Sequence, residues 1–127
     1  MKNVLKDKSF AFAVRVVKMA QWLRAEKLEY VLSKQVLRSG TAIGALVSEA
    51  DFAQSKADFV SKMSISLKEA NETRYWLELL KETDYIEGTM FNNLFEDVSE
   101  LIALLVSSIK TAKAKTHIEK HEIRDDK

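Results

Sequence analysis

Residues 55–80 read SKADFVSKMSISLKEANETRYWLELL, and the fold follows from the spacing inside that stretch. Phe59, Met63, Ser66, Ala70, Thr73, Leu77 and Leu80 recur at alternating steps of four and three, without a slip. A strand alternates every second residue, so a period near 3.5 sustained this long specifies a helix with one side committed to other helices. Ser55 and Asp58 stand in capping-box positions, aspartate replacing the usual glutamate, and mark the start. The helix should end near Thr83, with residues 84–88 as the next connection, which makes it the longest of the chain's segments.

The neighbouring segments carry the same period. From Tyr30 to Asp51, Leu32, Val36, Ser39, Ile43, Leu46 and Ala50 form a second heptad seam. Ser39, Gly40, Thr41, Ala42, Gly44 and Ala45 add a patch of small residues there. Each helical glycine costs about 1 kcal/mol relative to alanine, so Gly40 and Gly44 should let another helix come close. Upstream, Phe12, Val16, Met19 and Leu23 make the first seam, with Ser9 or Asp7 as the expected N-cap. Phe10, Val14 and Val17 fall on nearly the opposite side of that helix, with Trp22 on a flank beside Arg15 and Lys18. That second apolar face, with the tryptophan beside it, is either loosely exposed or covered by another chain. Downstream, a fourth segment starts near Thr89, with Leu94, Val98, Leu101, Leu105, Ser108 and Ala112 in its seam. Phe91, Phe95, Ile102 and Ile109 broaden it.

Four amphipathic helices with short connections make an all-α, antiparallel, up-down-up-down four-helix bundle. It should occupy residues 1–115 as one domain, leaving 116–127 as a charged tail. Composition agrees. Among 127 residues there is no proline and only three glycines, which excludes a turn-rich sandwich or barrel. No cysteine means no disulfide and no thiolate metal site. The longest apolar run, Leu101 to Val106, is far short of the ~20 residues that cross a bilayer, and the apolar stretch at Phe10–Val14 is too short for a signal peptide. A cytoplasmic protein without a membrane partner is expected.

Catalytic raw material is scarce. Both histidines, His117 and His121, lie in the tail, so no triad can form in the bundle. With Glu119 and Glu122 they have a spacing that can hold a divalent cation, but such pairs in polar tails are ordinarily solvated. Neither histidine follows a glutamate by three residues, as a di-iron bundle requires. Neither a phosphate-cradling glycine loop nor a strand to carry one is present. No enzyme, cofactor or metal site is expected.

Two groups of charges remain. If the second and third helices turn near Ala53 and Gln54, Arg38 lies opposite Glu69 and Gln35 opposite Glu72. An ion pair fixing the register of two helices is the usual meaning. The alternative is a small ligand-binding or enzymatic bundle using Arg38, Glu69 and Glu72. Residues 1–40 carry nine basic against three acidic side chains, whereas residues 41–100 carry five against twelve. Helices one and four should therefore share a loose basic strip including Arg15, Lys18, Lys110, Lys113 and Lys115. Such a strip attracts phosphates, though scattered lysines most often mark a solvated face.

The stretch 32–50, LSKQVLRSGTAIGALVSEA, together with residues 55–80, resembles the bacterial four-helix-bundle proteins encoded by intervening sequences in 23S ribosomal RNA genes. The similarity extends over about residues 8–115. It implies a homopentamer around a central channel. A related branch, the accessory variability proteins of retroelements, binds nucleic acid and a reverse transcriptase, which makes RNA or a nucleic-acid enzyme an expected partner. The family pattern matches Gln35, Arg38, Ser39, Glu49, Glu69 and Glu72. It departs at Ala42 and Leu46, where the family usually has serine and asparagine. The resemblance implies a non-enzymatic assembly or scaffold.

Overall fold

The computed structural model of the chain describes the backbone from residue 3 to 125 and side chains as far as Lys115. Its elements are α1 (Val4–Glu26), α2 (Leu32–Ala50), α3 (Lys56–Glu82) and α4 (Gly88–Asp125). Each helix packs on the next, and α4 closes the ring against α1; among the described residues the backbones on either diagonal do not come close. Every adjacent pair runs antiparallel. Numbers rise along α2 as they fall along α3: Ser39 meets Thr73, Ile43 meets Ser66, and Glu49 meets Lys62. Likewise Lys6 meets Asp51 and Val16 approaches Gly40, while Lys8 pairs with Glu100 and Arg15 with Asp97. At one end of α3 Lys81 lies over the Phe91 ring; at the other, Phe59 shares a hollow with Ser108 of α4.

The core is built from the expected seams with one shift. In α3, Met63, Ser66, Ala70, Thr73, Leu77 and Leu80 are all buried, and Phe59 at the margin is half-buried. In α2 the buried line runs Val36, Gly40, Ile43, Val47 and Ala50, with Ser33 and Ser39 beside it. Val47 is therefore the core residue, and Leu46, expected there, stands half-buried on the flank. The cause is α1. Its Val16 occupies the space over Gly40, which turns α2 so that Gly40 and Val47 face inward.

The close neighbour of both glycines is thus α1. A Cβ on Gly40 would meet the Val16 methyls at 2.8 and 2.9 Å, and one on Gly44 would meet the Ser9 backbone at 3.3 Å. Between α2 and α3 the contact is made by hydroxyls. Ser66 donates to the Ile43 carbonyl at 2.9 Å, and the Thr73 and Ser39 hydroxyls are 2.8 Å apart. Thr73 also reaches the Glu69 carbonyl, so these buried polar groups are satisfied.

The helix ends correct three expectations. Asn3, and neither Ser9 nor Asp7, caps α1: its side chain accepts from the Lys6 amide at 3.0 Å, and Ser9 is buried two turns in. At α3, Ser55 accepts from the Asp58 amide as expected, while Asp58 reaches back one residue further, to the Gln54 amide. The end of α3 is closed by Asp84 at φ 66, with the Tyr85 amide returning to the Leu80 carbonyl. The longest helix is α4 rather than α3: it has 38 residues, about 57 Å of helix, and continues through most of the segment expected as a tail. The His117–His121 pair lies outside the residues whose side chains are described.

A glutamate that sequence reading passed over caps α2. The Glu29 carboxylate accepts from the Ser33 amide at 2.8 Å and from the Val31 amide at 3.3 Å. Nothing but the Glu29 side chain serves these amides in place of the usual Ser, Thr, Asp or Asn. Glu29→Ala is expected to cost about 1–2 kcal/mol in thermal or urea denaturation. An unchanged midpoint would mean that water replaces the carboxylate without loss.

Candidate functional site

Three surfaces carry the residues singled out in the sequence. The first is the outer side of the α1–α2 pair. Gly44, Ala45, Thr41 and Ser48 of α2 leave a hollow of about 460 Å³, against which α1 sets Phe10 and Ala13, with Lys6 and Asp7 at its edge. Phe10 is 70% exposed and Val14 39%, with Val17 half-buried on the same stripe. The small residues create this surface twice over. They bring α1 close, and they expose a shallow, largely uncharged floor beside a large aromatic ring. Trp22 does not share it. At about 100° per residue it lies roughly 120° around α1 from Phe10. It packs against the core and borders a hollow with Met90, Asn93 and Leu94 of α4.

The second surface is the outer α2–α3 groove. Arg38 donates to Glu69 at 3.1 Å and also pairs with Glu72, and the Trp76 indole N–H donates to Glu72 at 3.4 Å. Gln35, expected opposite Glu72, is exposed and bonds to neither carboxylate, because Arg38 draws Glu72 one turn along the groove. Ala42 and Leu46 follow Arg38 at successive helical turns and are half-buried, so the polar cluster ends there. One guanidinium bridging two carboxylates of α3 ties α2 and α3 in register, and a pair exposed to this degree adds at most about 1 kcal/mol. Among the described residues, no group of His, Asp and Glu could hold a metal ion.

The third group is the set of cations. Arg15 is committed to Asp97, and Lys18 lines the hollow beside Trp22. Lys110 lies thirteen residues beyond Asp97, about 20 Å further along α4. Arg15 and Lys18 therefore do not form one strip with Lys110, Lys113 and Lys115. Of the last three, Lys113 and Lys115 border hollows shared with Lys56 at the start of α3, and Lys110 is exposed about one turn before Lys113 on α4. No described side chain pairs with any of the three. Lys56 was not singled out in the sequence; nothing there shows that α3 begins opposite residues 107–115 of α4.

Comparison with known proteins fits this geometry. The model of the 23S rRNA-intervening sequence proteins matches residues 1–107. The chain belongs to that family. Among solved structures, it is similar to a protein of unknown function from the S23 ribosomal protein family of Bacteroides thetaiotaomicron VPI-5482. That protein is 54% identical, with a TM-score of 0.83 over 84% of this chain and 99% of the other. No curated protein matches. The family match includes the outer α1–α2 face and the Arg38 cluster, and it stops short of Lys110, Lys113 and Lys115. None of the described helices is long and apolar enough to cross a membrane.

Proposed function

We propose that this intervening-sequence protein is a non-enzymatic scaffold of the cytoplasm that assembles with copies of itself over the outer α1–α2 face. The observation that carries the reading is Phe10. A phenylalanine 70% exposed, continuous with Val14 and with an uncharged floor of Thr41, Ala45 and Ser48, is a surface that burial against another protein would stabilise. A homopentamer is the assembly, following the family resemblance. The pairing of Arg38 with both Glu69 and Glu72 supports a clamp between α2 and α3 over a ligand site. Light scattering across a wide concentration range tests the assembly. A mass five times that of the chain is expected, and a monomer throughout would overturn the reading.

A second reading, RNA contact, is favoured by Lys110, Lys113 and Lys115, three exposed cations without a described partner in the C-terminal half of α4. A ring of subunits would repeat them and raise avidity without a new contact. On this reading binding to structured RNA weakens with salt, with a slope of about −0.7 to −0.9 per phosphate contacted, and shows little sequence preference. Replacing all three lysines by glutamate should abolish it. Equal binding by that variant, or none by the wild type at low salt, would leave the lysines a solvated face.

A further inference from the structure

The connection between α1 and α2 turns three apolar side chains into solvent: Leu28 is 68% exposed, Tyr30 54% and Val31 69%. The residue among them goes the other way, since Glu29 is 9% exposed. Four hydrogen bonds converge on Glu29: its amide to the Leu23 carbonyl, its carbonyl from the Ser33 hydroxyl, and its carboxylate from the amides of Val31 and Ser33. The connection is therefore fixed in place, and the apolar side chains are held outward by the same bonds that hold Glu29 inward. Leu28 sits at φ 53, a conformation that glycine adopts freely and leucine does not. Glycine at 28 and polar residues at 30 and 31 would serve both stability and solubility better. Strain and apolar exposure combined in one rigid connection point to an interaction.

The surrounding charge says with what. The Arg24 guanidinium lies over the Tyr30 ring at 5.9 Å, and the Lys27 ammonium over the Trp22 ring at 5.4 Å. Neither they nor exposed Lys34 has a carboxylate partner among the described residues. We propose that this connection docks a protein segment combining apolar with acidic side chains. Leu28, Tyr30 and Val31 would enter its apolar part while Arg24, Lys27 and Lys34 meet its carboxylates. A polyanion such as RNA has use for Tyr30 and the cations, but none for Leu28 and Val31. An anionic bilayer is flat and would cover the whole end of the bundle, including the α3–α4 connection with exposed Glu82, Asp84 and Glu87. A short segment can stay on the α1–α2 side, where exposed Glu26 is outnumbered by Arg24, Lys27 and Lys34.

The test is selection of a displayed library of random short peptides on the full chain, followed by fluorescence polarisation with the peptides selected. Enriched peptides are expected to carry Asp or Glu beside aromatic or aliphatic residues. Their affinity should fall by about tenfold or more for Leu28→Gly, and again for Tyr30→Ser with Val31→Ser. Leu28→Gly relieves the left-handed backbone, so its melting temperature should hold or rise, which separates lost binding from lost folding. Failure to enrich acidic-apolar peptides, or equal affinity for Leu28→Gly, would overturn the proposal. So would Leu28-dependent binding to phosphatidylserine vesicles or to oligouridylate, since the occupant would then be of another class. A changed assembly mass for Leu28→Gly would also overturn it, because the occupant would be a second copy.

Discussion

Gly40→Leu is expected to destabilise the bundle by about 3 kcal/mol, read as a fall of roughly 10 °C in melting temperature. Even the first carbon of a side chain at this position would lie 2.8 Å from a methyl of Val16, which is fully buried. A β-branched residue in a helix has one favoured rotamer, so Val16 cannot swing aside without cost. The helix propensity gained by removing glycine, about 1 kcal/mol, offsets part of the loss. Gly44→Leu should also destabilise, by about 1–3 kcal/mol, since its nearest neighbour is the backbone of Ser9 and only a shift of α1 relieves the contact. Unchanged melting in both variants would mean that the distance between α1 and α2 is not set by these glycines.

Phe10→Glu is expected to reduce the assembly to monomers while leaving the helical circular-dichroism signal intact. Phe10 lies outside the core, so a glutamate there is harmless to the single chain. At a subunit contact the same substitution removes a large apolar side chain and buries an unpaired carboxylate, enough to weaken association at least about hundredfold. Sedimentation velocity at matched concentrations reads the result. A variant that sediments as the wild type does would place the subunit contact elsewhere.

How far the sequence could be read depended on which residue types carried the pattern. The α3 seam was legible from Met63 to Leu80 because every position is filled by a residue that a core accepts, including Ser66 and Thr73. The α2 seam was less so. Ser39 and Gly40 are adjacent and both small, and the period runs equally well through Ser39 and Leu46 or through Gly40 and Val47. Only the presence of Val16 above Gly40 decides between them. The pairing of Arg38 with Glu69 followed from hairpin geometry, whereas Gln35 did not find Glu72 because a guanidinium competes better for a carboxylate than an amide does. Asn3 and Glu29 were missed as caps for different reasons. Asn3 competes with Asp7 and Ser9 within the same few residues, and Glu29 acts from a connection whose path the sequence does not reveal. The outer α1–α2 face was legible on the α1 side alone. Its floor of Thr41, Ala45 and Ser48 becomes a surface only once α1 has docked on Gly40 and Gly44.

Placing the photoreactive phenylalanine analogue p-benzoylphenylalanine at position 10 and irradiating the protein tests the subunit contact directly. The ring it replaces is the most exposed large apolar side chain of the outer α1–α2 face, so the reactive ketone would touch whatever covers that face. Denaturing electrophoresis should then show a ladder of covalently joined copies, with the crosslinked peptides mapping to a second copy of the chain. Monomers alone, at concentrations where light scattering reports an assembly, would contradict the outer α1–α2 face as the place where subunits meet.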